Sequence, residues 1–214
     1  MKGGRVMQEK VIILLSGGQD STTCLLQAIK EYSKENVEAI SFIFNSEISK
    51  AVSCAKEICD TLKIKHSVFD AGVMWNVAGD KIVEGRNIIF LTLAGMYAES
   101  KNIKIIITGL QGDNSHPESS HPDCTEEFVI NMNKTLNIAI GYDFKIKTPL
   151  MGLRKSEIWK ISDDLGCMKF IADKTFSCYK GKDEHCMECS SCKERFEGYD
   201  EYIETKIDDG GLLV

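Results

Sequence analysis

Val11-Ile-Ile-Leu-Leu15 runs directly into Ser16-Gly-Gly-Gln-Asp-Ser21, and Thr22-Thr-Cys-Leu-Leu-Gln-Ala-Ile29 follows. The first stretch reads as a buried strand, and Leu25, Ala28, Ile29 and Tyr32 recur at helical spacing. Between them lies a small-residue turn. Gly17 and Gly18 are expected to permit positive φ and close approach of the backbone to a ligand, with the amides that open the helix aimed at negative charge. Ser16, Ser21 and Thr22 add hydroxyl donors. Asp20 places an acid beside this predicted anion site, an arrangement that makes sense once a cation accompanies the anion. Leu15 to Thr22 therefore form a candidate nucleotide loop for ATP with Mg²⁺, drawing on Leu15, Ser16, Gly17, Gly18, Gln19, Asp20, Ser21 and Thr22. A Walker loop is excluded, because no lysine occurs between Val11 and Ile29.

The apolar runs Val37 to Phe44, Ile64 to Phe69 and Ile103 to Thr108 read as further strands. Helical stretches near Ser49 to Leu62 and Asn87 to Ser100 separate them. Alternation of this kind predicts an α/β fold, an open parallel sheet with helices on both faces. In such sheets ligands sit beyond the carboxyl ends of the strands, so the loops after Leu15, Phe44 and Thr108 should share one crevice. Gln111 to Asp123 is a polar loop long enough to act on a substrate. Asp143 to Lys147 reads as another strand, leading through Thr148-Pro-Leu150 into a helix near Lys155 to Leu165, with Gly166 at its end.

Cys178, Cys186, Cys189 and Cys192 are spaced C-x7-C-x2-C-x2-C. Short x2 spacings let thiolates converge on one ion, and four thiolates with no open position suit structural Zn²⁺. An iron–sulfur cluster is the competing metal. His185 is expected outside the ligand set. The remaining five of the nine cysteines are scattered and read mainly as small buried hydrophobes. A nucleotide-binding domain over 1–170 and a small helical zinc segment over 171–214 packed on it account for the whole chain.

Composition narrows the function classes. The 214 residues are 43% hydrophobic and 27% charged, with a formal charge of −6. That sign disfavours a general nucleic-acid surface, which relies on clustered Lys and Arg. No apolar run approaches the roughly 20 residues that span a bilayer, and the N-terminus lacks a signal-peptide core. A cytoplasmic protein acting on a small molecule is expected.

Ser16-Gly-Gly-Gln-Asp-Ser21 resembles the SGGxDS signature of the N-type ATP pyrophosphatases, with an adenine nucleotide alpha hydrolase-like fold. Together with Gly85-Arg-Asn87, Thr148-Pro-Leu150, Lys155, Ser177-Cys-Tyr-Lys-Gly181, the four cysteines, Arg195 and Gly198, it resembles the 7-cyano-7-deazaguanine synthase family along nearly the whole chain. His121-Pro-Asp-Cys124 is similar to that family's Tyr-Pro-Asp-Cys. The resemblance implies ATP-dependent activation of the 7-carboxy-7-deazaguanine carboxylate as its adenylate. Ammonia then converts it to the nitrile on the way to queuosine. It also implies a tendency to form homodimers. Asp20, Ser21 and Lys155 are then the candidate catalytic residues. Arg86, Asn87, Asp113 and Asp123 are the candidate substrate-binding residues.

The chain departs from the family's pattern at Phe44 to Lys50, where Tyr-Gly-Gln and Arg-His are usual. It departs again at Glu84, at Thr125 and in the long Gln111 to Ser120 segment. The adenylating half is intact and the acceptor half altered. This raises a second reading, a paralogue of the kind found in antiviral operons, in which a protein amine replaces ammonia as acceptor. A non-catalytic nucleotide- and zinc-binding module is a third, opposed by the intact Asp20 and Lys155. An iron–sulfur tRNA thiolation enzyme is a fourth, opposed by the acidic charge.

Overall fold

Residues 9–43, 49–71, 84–112, 121–180 and 183–208 are described by a computed structural model of the chain. The Phe44 to Ile48 part of the altered loop and Asp113 lie outside the described residues. Five strands form one parallel sheet, β1 (Val11–Leu14), β2 (Val37–Ile43), β3 (Lys65–Asp70), β4 (Ile105–Thr108) and β5 (Lys145–Lys147), in the order β3-β2-β1-β4-β5. Val11 aligns with Val37 on one side and Ile105 on the other. The order reverses between β1 and β4, so the crevice above their carboxyl ends is the natural ligand position.

The helices are α1 (Gln19–Tyr32), α2 (Lys50–Leu62), α3 (Arg86–Ser100), α4 (Glu126–Ile140), α5 (Lys155–Asp164), α6 (Met168–Lys174) and α7 (Ser190–Asp208). Alternate side chains of β1 divide the core. Val11 and Ile13 face a cluster with Leu25, Ala28, Ile58, Leu150 and Ile158. Ile12 faces another with Leu91, Ala94, Ile106, Leu136 and Phe144. Burial on both faces explains why β1 and β4 read as continuous aliphatic runs. Each fully buried Leu or Ile contributes about 1.5–3 kcal/mol relative to exposure.

The predicted strands and the helices over α1, α2, α3 and α5 are present, with ends shifted by up to three residues. Among the described residues no helix is long and apolar enough to cross a membrane. Helix α7 closes over α5 at Gly198, where a Cβ would stand 2.3 Å from Lys155 Cβ. Only glycine permits that approach. Trp159, Ile171 and Tyr202 fill the seam, and Trp159 Nε1 donates to the Arg195 carbonyl at 2.9 Å.

Candidate active site

Gly17 takes φ +85°, and a Cβ there would stand 1.8 Å from the Ala51 carbonyl oxygen of α2. The turn thus requires glycine for its conformation and for its contact. Gly18 differs from expectation: it is extended at φ −83°, ψ 172°, as the residue preceding α1. A Cβ there would make only ordinary contacts, 3.4 Å from Ser16 Oγ and 3.5 Å from Ser177 Oγ, so the turn does not require glycine at this position. Ser21 fixes the turn from within. Its Oγ accepts from the Ser16 amide at 3.1 Å and lies 3.0 Å from Ser16 Oγ. Leu15 is buried, with its amide bonded to Ile40 and its carbonyl accepting from Ser41 Oγ. It therefore supports the turn and offers no free backbone group to a ligand.

Gly18, preceding α1, supplies no side-chain cap; beyond the Gln19 amide, which bonds to Ser177 Oγ, amide donors and the positive end of the dipole face the crevice. Lys155, the first residue of α5, reaches across to Asp20, with Nζ 2.6 Å from Oδ2. The two lie 135 residues apart in sequence and meet because β1 and the β5-to-α5 connection end at the same side of the sheet. Asp20 Oδ1 has no partner although buried, and the same holds for both amide atoms of Gln19 and for Thr22 Oγ1. Buried polar atoms are rarely left unpaired. Their concentration in one turn is what a site built for a polar ligand leaves when the protein alone is considered.

Glu194 of α7 also belongs to this neighbourhood, one helical turn before Gly198. Loss of surrounding water pushes its carboxyl up, Lys155 opposes the rise and Asp20 adds to it. Sequence reasoning passed over it; the i, i+4 relation to Gly198 was the available signal.

On the acceptor side, Asn87 and Asp123 come together. The Asn87 amide donates to Asp123 Oδ2 at 3.0 Å, and Asn87 Nδ2 donates to the Asp123 carbonyl at 3.1 Å and toward Cys124 Sγ at 3.4 Å. Both residues are buried. Asn87 is thus occupied in fastening the Pro122–Cys124 turn to α3, while among the described residues Asp123 Oδ1 receives only a long thiol contact, 3.8 Å from Cys124. Arg86 sets its guanidinium 6.0 Å from the Tyr179 ring centre.

Cys178, Cys186, Cys189 and Cys192 place their Sγ atoms within 4.8 Å of one another, with Cys189 to Cys178 at 3.9 Å. Four thiolates about 2.3 Å from a tetrahedral ion stand about 3.8 Å apart, so these cysteines fit a single metal. Amides of Glu188 and Cys189 donate to Cys186 Sγ at 3.5 and 3.3 Å, favouring the thiolate. His185 stays outside, accepting from the Ser177 amide through Nε2 at 3.4 Å. Burial holds its pKa below the usual value and nearby Arg195 adds to that.

Arg195 and Ser177, which the sequence reading quoted without a role, join the two sites. Arg195 is 2% exposed and donates to Thr175 Oγ1 at 2.7 Å, Ser177 Oγ at 3.1 Å and the carbonyls of Ile171 and Ala172. The Phe176 amide donates to the Gly17 carbonyl at 2.9 Å, and the Gln19 amide donates to Ser177 Oγ at 3.3 Å. The metal segment is therefore bonded to the nucleotide turn itself.

Comparison with known proteins agrees with this geometry. The family model described as queuosine biosynthesis protein QueC matches residues 10–80 and 76–203. The 7-cyano-7-deazaguanine synthase of Clostridium botulinum (strain ATCC 19397 / Type A) is 38% identical over 216 aligned positions, covering 91% of this chain and 96% of that protein. That of strain 657 / Type Ba4 is 37% identical with the same coverage. Among solved structures, NMN synthetase from Francisella tularensis superposes with a TM-score of 0.47 at 17% identity, covering 97% of this chain and 89% of that one. The chain belongs to the QueC family of queuosine biosynthesis proteins.

Proposed function

We propose that the protein is an ATP-dependent carbon–nitrogen ligase, a 7-cyano-7-deazaguanine synthase. It activates the carboxylate of 7-carboxy-7-deazaguanine as an adenylate and converts it with ammonia to the nitrile. The observation that carries the chemistry is the Lys155–Asp20 pair, 2.6 Å apart, at the mouth of a turn whose buried polar atoms lack partners.

A carboxylate is a poor electrophile, and transfer of AMP turns its oxygen into a leaving group. The turn from Ser16 to Thr22 holds the departing pyrophosphate through backbone amides and hydroxyls, where fixed donors act on developing charge. Asp20 would hold Mg²⁺, which would supply charge neutralisation to the phosphates. Asp20 Oδ1 supports this role, being a buried carboxylate oxygen without a protein partner. With Asp20 engaged, the Lys155 ammonium is released to a phosphate as a point charge.

Arg86, Asn87 and Asp123 frame the acceptor side together with Asp113. Arg86 offers a fork of donors for the substrate carboxylate. Asn87 acts by holding Asp123, whose remaining oxygen accepts from the amino group or ring N–H of the base. Ammonia attacks the adenylate to give the amide, and a second activation removes the amide oxygen to leave the nitrile. Binding geometry supplies most of the acceleration.

Zn²⁺ at the four cysteines is structural: the thiolates leave no open position, and their close spacing suits one ion better than a multi-iron cluster. In this reading residues 1–170 form the nucleotide-binding body, 171–214 the zinc segment, and the protein is a cytoplasmic homodimer.

The test is incubation of zinc-replete protein with Mg-ATP, 7-carboxy-7-deazaguanine and ammonium, following AMP and the 7-substituent by mass spectrometry. Nitrile formation is expected. Pyrophosphate release that stops at the adenylate despite ammonium would replace ammonia with another acceptor, such as a protein amine. No turnover would overturn the ligase reading.

A further inference from the structure

We propose that Ser177, supplied by the metal segment, is a pyrophosphate-binding residue of the nucleotide site, and that Arg195 positions it. The inference rests on the reading of the Ser16 to Thr22 turn as a phosphate site.

A serine hydroxyl has two acceptor lone pairs and one hydrogen to donate. At Ser177 both lone pairs are used. The Gln19 amide donates to Oγ from one side at 3.3 Å and Arg195 Nη1 donates from the other at 3.1 Å. The hydroxyl hydrogen must therefore point away from both, and among the described residues no acceptor takes it. The atom borders the nucleotide turn, 3.5 Å from where a Gly18 Cβ would lie, a point also 3.4 Å from Ser16 Oγ. A hydroxyl forced to donate, placed beside the open N-terminus of α1, is a ready-made ligand for a phosphate oxygen.

Two further observations point to an anion here. Arg195 is buried, yet its recorded partners are all neutral oxygens and the face of Trp159, 5.6 Å from the guanidinium carbon. Among the described residues no carboxylate pairs with it. Burial disfavours its charge, and Asp20, Cys192 and Cys54 act on it through longer-range attraction without a direct bond; an arriving pyrophosphate adds negative charge that it feels by way of the Ser177 hydroxyl. Independently, Gln19 is 2% exposed with neither amide atom paired, and Thr22 Oγ1 is buried without a partner one turn further along α1. These orphaned groups belong to the same first turn of α1 whose Gln19 amide bonds to Ser177 Oγ.

Arg195 acts only through Ser177. Its guanidinium is fixed by Thr175, Ile171 and Ala172, and by polarising the hydroxyl oxygen it makes Ser177 a stronger donor than a free serine. Nothing in this scheme uses Ser177 as a nucleophile. Its proton stays on oxygen throughout.

The test is isothermal titration of ATP, inorganic pyrophosphate and AMP into zinc-replete wild type, Ser177→Ala and Ser177→Thr. Zinc content and melting temperature are read on the same samples. A hydrogen bond to a charged group corresponds to about 10- to 100-fold in affinity. Ser177→Ala is expected to lose that factor for ATP and pyrophosphate while its affinity for AMP changes less than about twofold, and Ser177→Thr, which retains the hydroxyl, is expected to recover most of it. As a second measurement, pyrophosphate inhibition of AMP formation weakens in Ser177→Ala while AMP inhibition does not. Unchanged pyrophosphate affinity in Ser177→Ala, or equal weakening for all three ligands, overturns the proposal and leaves Ser177 a structural cap on α1. Wild-type protein that binds neither ATP nor pyrophosphate overturns the phosphate-site reading along with it.

Discussion

Lys155 and Asp20 are each other's partners in the absence of nucleotide, 2.6 Å apart, so each masks the other's charge until ATP and a cation separate them. Lys155→Met is expected to lower AMP formation by about 10²- to 10³-fold, the usual cost of removing one stabilising group from a transition state. A pyrophosphate-release assay reads this directly. Gly17→Ala is a harsher change, because its Cβ would meet the Ala51 carbonyl at 1.8 Å. The turn must open, and ATP binding measured by calorimetry should be lost even in protein that still melts cooperatively. At this scale the sequence was informative where one residue type has one use. Gly17, Asp20 and the four cysteines could be recognised by type and spacing. Ser177 and Arg195 could not, since Ser177 meets Gln19 across 158 positions and a buried arginine leaves no periodic trace.

Helix α7 shows how an element can be real and yet illegible. Its buried positions are Cys192, Arg195, Gly198 and Tyr202, which follow the helical repeat but include an arginine and a glycine and no aliphatic residue, so counting hydrophobes fails. A helical zinc segment over 171–214 was expected, but without the ends of its helix, for this reason. Helix α4 fails in the opposite way: Ile130 and Ile138 are 61% and 74% exposed, and they blur the stripe that Val129 and Leu136 would otherwise define. The strands were easier, because burial on both faces leaves a plain aliphatic run. Between α5 and α7, Asp163 accepts from Tyr202 Oη at 2.5 Å and Lys206 Nζ at 2.6 Å. These partners, Lys206 first, hold its carboxyl below the ordinary range. A lowered carboxylate pKa stabilises the fold above its unfolded value and loses that contribution as pH falls toward the folded value. Asp163→Asn should therefore lower the melting temperature by about 2–4 °C at neutral pH, and a series of melts should show the difference closing below about pH 4. Replacing Cys192 with Ser should remove the metal and detach α7, seen as loss of bound zinc and rapid proteolysis after Lys174 while the sheet stays protected.

The chain as a whole carries a formal charge of −6, and at the β1/β4 reversal Lys155 and Arg195 are set against Asp20 and Glu194, with the opening of α1 adding the positive end of its dipole. Such a protein concentrates one small polyanion and repels extended ones. Fluorescence anisotropy with an unmodified transfer RNA at about 0.15 M salt should show no binding, whereas ATP should bind under the same conditions. The general architecture was readable because strand, turn and helix alternate. The joining of the metal segment to the nucleotide turn was not, because it depends on a few hydrogen bonds between distant parts of the chain.

That joining bears on the order in which the protein is made. Ser16 to Ser21 leave the ribosome early, but the groups that complete their surroundings, the Phe176 amide, the Ser177 hydroxyl and the Arg195 guanidinium, are translated some 160 residues later. A growing chain can assemble most of the sheet and still present an unfinished turn. A chain cut short by a stalled ribosome before Phe176 would thus lack the groups that complete the nucleotide turn, and with them the means to spend ATP to no purpose.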